Sequence, residues 1–192
     1  MILTMIREWE GLPLCSTRDP QSEASRWLST ITPTADHCWV LGLGSGYHVQ
    51  ALAQKYRNLV ISVIDHREPL RKSFEDKFPQ LRSQVLVEIV RSEEELLMSK
   101  SFALFGQNQS SNHIFRPAVQ KVDELYLLFS KSLRGQTRQS FLVLMDMFGI
   151  EISTDALNGI HDFQIKEISK SLAGRSEKEE QRIIRVLREL VS

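Results

Sequence analysis

Apolar and polar positions alternate along this chain in two distinct rhythms. Trp39-Val40-Leu41 runs apolar into three glycines at alternate positions, Gly42, Gly44 and Gly46, and an amphipathic stretch from Val49 to Tyr56 follows at once. An unbroken apolar run suits a strand buried on both faces, and apolar residues three and four apart suit a helix with one buried side. The same rhythm recurs twice. Leu59 to Asp65 and Val85 to Val90 read as strands. Glu68 to Phe78, stopped by Pro79, and the stretch opening at Ser92-Glu93-Glu94-Glu95 read as helices. Strands alternating with helices predict a parallel sheet with right-handed crossovers.

The flanks are less regular. Ile2, Met5, Ile6, Trp9 and Leu12 lie close to a helical stripe that ends before Pro13. Asp19 and Pro20 are suited to the cap and first position of a second helix, with Ala24, Trp27, Leu28 and Ile31 on its apolar face and Pro33 as its end. Beyond the third strand, Phe102 to Phe105 and His113 to Phe115 compete as a fourth strand. A helix is expected from Pro117, with Val119, Val122, Leu125, Tyr126 and Phe129 on one side. Phe141 to Met147 fits either a strand or a buried helix and is read as helix. Ser176 to Glu179 has capping-box spacing ahead of Ile183, Ile184, Val186, Leu187, Leu190 and Val191, which predicts a closing helix.

Composition narrows the function. The 192 residues suit one domain: a helical N-terminal segment (1–36), an α/β core (37–148) and a helical C-terminal segment (149–192). Lys plus Arg and Asp plus Glu are both 24, so no net charge would recruit nucleic acid or an anionic membrane. The N-terminus meets charge too early for a signal peptide, and no apolar run could span a bilayer, so a cytoplasmic protein is expected. Cys15 and Cys38, the two cysteines, are expected to stay reduced.

Candidate chemistry gathers at the glycine turn. A turn at a strand's carboxyl end, followed by a helix whose free N–H groups point at the same place, suits a polar or anionic ligand. Asp65 stands about 20 residues past Gly46, where a carboxylate can accept two hydrogen bonds from a ribose. Gly42, Gly44, Ser45, Gly46, Tyr47 and Asp65 are therefore the candidate ligand-binding residues, for a nucleoside-containing small molecule. His48 is a candidate acid or base, but no catalytic residue can be assigned. The five histidines show no i, i+4 pairing, so no metal site is expected. Leu43 and Tyr47 stand where a serine nucleophile elbow requires glycine, which disfavours a hydrolase. Arg134 and Arg138 read as a solvated basic loop, and Glu93 to Glu95 as a helix start favoured by the helix dipole. Asp65 and His66 are not read as a dyad, since neighbouring strand residues point to opposite faces.

Two resemblances sharpen these expectations. The G-x-G-x-G spacing from Gly42 to Gly46 resembles motif I of class I S-adenosylmethionine-dependent methyltransferases, although Val40 stands where those enzymes usually carry an acid. That resemblance implies a Rossmann-like fold, S-adenosylmethionine as the ligand and, if the chain is an enzyme, methyl transfer. The run Ser16-Thr17-Arg18-Asp19-Pro20-Gln21-Ser22-Glu23-Ala24-Ser25-Arg26, followed by Leu41 to His48, resembles the N-terminal domain of bacterial motility-associated factor proteins. Those are flagellin glycosyltransferases that attach nonulosonic acid sugars. The similarity extends from about Ser16 to Asp65, and more weakly to Arg116-Pro117-Ala118. In that family a Rossmann-like domain precedes a separate transferase domain, so the resemblance implies an accessory domain that recognises a partner or a nucleotide, with no sugar transfer of its own.

Overall fold

The computed structural model describes residues 5–107, 110–150 and 152. Among them the chain is α/β, with a four-stranded parallel sheet flanked by helices. The strands are β3 (His37–Leu41), β4 (Val60–Asp65), β5 (Val85–Ile89) and β6 (Ser111–Ile114), in the spatial order β5-β4-β3-β6. The order reverses between β3 and β6, because the chain moves outward from β3 to β5 and then returns to the other side of β3. The register pairs Val40 with Val63 on one side and with His113 on the other.

The apolar runs account for the three central strands. Every residue of β3 is buried, and so is all of β4 after Val60. Side chains alternate between the two faces and build two cores. Cys38, Val40, Ile61, Val63, Val85 and Val87 pack with residues of α2 (Tyr47–Lys55) and α3 (Glu68–Lys77). Trp39, Leu41 and Ile64 pack with residues of α4 (Glu93–Leu97), α5 (Lys100–Phe105), α7 (Asp123–Ser132) and α8 (Arg138–Met147). The helix α1 (Pro20–Ser29) lies against α2. Asp19 caps it, accepting the Ser22 N–H at 2.9 Å, with Pro20 at its first position.

Four expectations change. The N-terminal stripe is not a helix over the described residues. Instead β1 (Glu8–Trp9) and β2 (Leu12–Pro13) form a two-residue hairpin. Its central residues, Glu10 and Gly11, have φ of 49° and 76°, the mark of a type I′ turn, which helical periodicity does not register. Phe102 to Phe105 is not a strand but lies in α5, whose first amides are capped. The Ser99 hydroxyl accepts from Phe102 N–H at 3.1 Å, and Glu88 accepts the N–H groups of Lys100 and Ser101 at 2.8 and 2.9 Å. The fourth strand is therefore β6. α1 ends at Ser29, before Pro33 is reached. Finally, the helix expected from Pro117 is two, α6 (Arg116–Val119) and α7 (Asp123–Ser132), because the chain breaks at Gln120 and Lys121, the latter at φ 66°. The helix reading of Phe141 to Met147 agrees with α8, while the predicted closing helix at 176–191 lies outside the described residues.

Candidate functional site

The point where strand order reverses is where open α/β sheets usually bind ligands. Here it lies between the carboxyl ends of β3 and β6. The glycine turn, Gly42 to Gly46, forms one wall. It begins with Gly42 N–H donating to the Ile64 carbonyl at 2.9 Å and closes with Gly46 N–H donating to the Leu43 carbonyl at 2.9 Å. Gly46 then opens α2 at φ 78°. The structure therefore brings Gly42, Gly44, Ser45, Gly46 and Asp65 together at one end of the sheet.

The chain itself fills the space in front of the turn. After β6, the short helix α6 (Arg116–Val119) folds back over the glycines. A Cβ on Gly42 would lie 2.8 Å from Val119 Cγ1 and 2.9 Å from the Ala118 Cβ. One on Gly44 would lie 2.8 Å from the Leu14 carbonyl oxygen and 3.1 Å from the Ala118 Cβ, and one on Gly46 would overlap the Phe74 ring. The glycines permit close approach, as their spacing implied, but what approaches is α6, Leu14 and Phe74. Beside them, between the hairpin and the β4–α3 turn, a cavity of about 50 Å³ is lined by Trp9, Leu12, His66, Arg67 and Pro117 among others. Small-molecule pockets start at roughly 300 Å³.

Asp65 is fully buried, and both of its oxygens are engaged. Oδ2 accepts the Leu43 N–H at 2.7 Å and an Arg67 guanidinium N–H at 2.8 Å. Oδ1 accepts the Arg67 backbone N–H at 3.0 Å and its Nε–H at 2.8 Å. The same guanidinium also donates to the Ala118 carbonyl at 2.7 Å. One carboxylate thus ties the glycine turn, the β4–α3 turn and α6 together. Sequence reasoning missed Arg67. The available signal was its position two residues beyond the acid, where the chain turns back and a long side chain can reach its neighbour.

The other candidates are also tied into the fold. His48 is buried, donates to the Gly42 carbonyl through Nε2 at 3.0 Å and stacks on Phe115 with ring centroids 3.6 Å apart. Burial lowers its pKa to about 3, so it stays neutral and is not placed as an acid or base. Tyr47 turns toward the N-terminal arm, where its hydroxyl accepts from Arg7 at 3.2 Å. His66 faces Tyr126, with Nδ1 2.9 Å from the phenol oxygen and 3.7 Å from Asp65 Oδ1. Ser45 Oγ is buried without a hydrogen-bond partner among the described residues. Glu93 does more than start a helix: it accepts the Ser132 hydroxyl at 2.6 Å and the hydroxyl of Thr137, which caps α8.

Cys15 and Cys38 are buried free thiols, and burial raises Cys38 to about 12. Among the described residues there is no cluster of His, Cys, Asp or Glu that could hold a metal ion, and no helix long and apolar enough to cross a membrane. Compared with known proteins, the chain matches no family profile, no curated protein and no solved structure.

Proposed function

We propose that the chain is a non-catalytic accessory domain of Rossmann-like type that works through contact with another protein. The observation that carries this reading is the Asp65–Arg67 pair under Ala118. The acid that would hold a ribose is neutralised bidentately by its own chain, and the crevice above it is occupied by α6. Opening that site would strip a buried carboxylate of its partner, a change that costs about 3–5 kcal/mol in comparable buried pairs. A nucleoside would have to exceed that cost before binding at all. The resemblance to the N-terminal domain of motility-associated transferases points the same way.

A second reading keeps the glycine turn as an S-adenosylmethionine site of methyltransferase type. The orphaned Ser45 hydroxyl favours it, since a buried polar group without a partner invites one. Calorimetric titration separates the two. S-adenosylmethionine, its homocysteine product, nicotinamide dinucleotides and cytidine nucleotides should each give no saturable heat up to about 1 mM. A dissociation constant below about 100 µM for any of them would overturn the accessory reading.

A further inference from the structure

We infer that the outer edge of β6, with the groove that α1 forms beside it, takes up an extended acidic segment of a partner protein as an added strand. This rests on the accessory-domain reading and names the surface that such a domain would use. Among the described residues β6 is the last strand of the sheet on its side, and all four of its residues are half-buried. The direction of its free groups follows from the ladder. Phe115 N–H donates to the Leu41 carbonyl at 2.9 Å, and Leu41 pairs with Ile114. In a parallel pair alternate residues face the partner strand. His113 and Phe115 therefore turn their amides toward β3, while Asn112 and Ile114 turn theirs outward.

The outward side opens on a groove of about 730 Å³, lined by Arg26 and Trp27 of α1, by Asn112, Ile114 and Arg116, and by Ser130 of α7. Trp27 already shows the edge being used, since its Nε1–H donates to the Ile114 carbonyl at 3.3 Å. The Asn112 side chain is held back by Ser130, whose hydroxyl donates to Asn112 Oδ1 at 2.8 Å, so the main chain is left facing the groove. The Asn112 N–H and carbonyl and the Ile114 N–H are the groups that an incoming strand would pair. Main-chain pairing of this kind supplies affinity, and the side chains beside it supply selectivity.

Charge selects the occupant. Arg26 and Arg116 line the groove and are exposed; the charge of Arg26 also acts on Asp19, where, after the hydrogen bonds from Ser22, it helps to hold that carboxyl below its ordinary pKa. The carboxylate in the groove, Glu23, already accepts the Ser16 N–H at 2.7 Å. Two guanidinium groups beside an open strand edge suit an extended segment carrying Asp or Glu.

The test uses the full chain as bait for a displayed library of random twelve-residue peptides, followed by fluorescence anisotropy on the enriched sequences. Enrichment of acidic peptides is expected. Their affinity should fall at least tenfold in Arg26→Glu/Arg116→Glu and in Asn112→Pro, which removes one outward N–H, with the melting temperature of the charge-reversal variant unchanged. Enriched peptides without an acidic bias, or equal binding to the charge-reversal variant, would overturn the inference. So would a library that yields nothing above an unrelated bait, or a uridine twelve-mer binding where no peptide does. A nucleoside that bound in the calorimetric titration would leave the peptide result standing, so failure of the accessory reading and failure of this surface are told apart.

Discussion

At the scale of single residues, the buried histidines set the response to acid. His37 lies between Ser110 and Ser62, at 2.8 and 2.9 Å from their hydroxyls, and stacks on Phe105. Burial lowers it from 6.5 to about 4, as it lowers His48 to about 3. The folded chain therefore holds both rings neutral in a range where the unfolded chain protonates them. Their contribution is complete above pH 6.5 and is lost as pH falls toward about 4 and about 3. With two protons in play, the slope approaches about 2.7 kcal/mol per pH unit. Urea unfolding followed from neutral pH to about pH 5 should show stability falling steadily, and a flat profile would remove both rings from this role. The histidines were visible in the sequence. Their burial was not, because a lone His carries no pattern that distinguishes a core position from a surface one.

At the scale of elements, two turns hold glycine at nearly the same φ for different reasons. Gly11 in the β1–β2 hairpin has φ 76° and nothing within 4 Å of a Cβ built on it, whereas Gly46 at the start of α2 has φ 78° and a Cβ there would overlap Phe74. Gly11→Ala should cost only the left-handed backbone penalty, about 1–2 kcal/mol. Gly46→Ala should cost that plus about 1–3 kcal/mol of overpacking. Paired thermal melts measure the difference, and equal losses would mean that Phe74 moves aside freely. The pair also shows what the sequence could and could not say. Runs such as Trp39 to Leu41 and Val60 to Asp65 were legible because strands buried on both faces admit few polar residues. The β1–β2 hairpin was not legible, because its two-residue strands are too short for a period and Glu10 occupies a turn position that usually marks itself with Asn or Gly. The strand choice between Phe102 and His113 was settled by caps from Glu88 and Ser99, which are tertiary and local bonds that apolar spacing does not encode.

At the scale of the whole molecule, Asp65 and Arg67 join parts of the chain far apart in sequence. Arg67→Met should destabilise the fold by about 3–5 kcal/mol, because it leaves the Asp65 carboxylate buried without its countercharge. The double variant Asp65→Asn/Arg67→Met should recover at least half of that loss, since no charge then remains to be compensated. Denaturant midpoints of the two variants measure it, and a loss below about 1 kcal/mol in Arg67→Met would refute the pair's structural role. The position of the candidate site was legible from Gly42 to Gly46 and Asp65; its occupant was not, since the same spacing admits a ligand or a helix. That occupant also has a place in time. β3, β4 and β5 are complete once residue 89 has been made, but α6 ends at Val119. At the usual ~5–20 residues per second of synthesis, the stretch between them takes roughly 2–6 s. For that interval a nascent chain that has paired its first three strands lacks the α6 cover over Gly42 and Gly44 and leaves the β6 side of β3 unpaired, so chaperone contact on the ribosome would fall on the surfaces that α6 and β6 later seal.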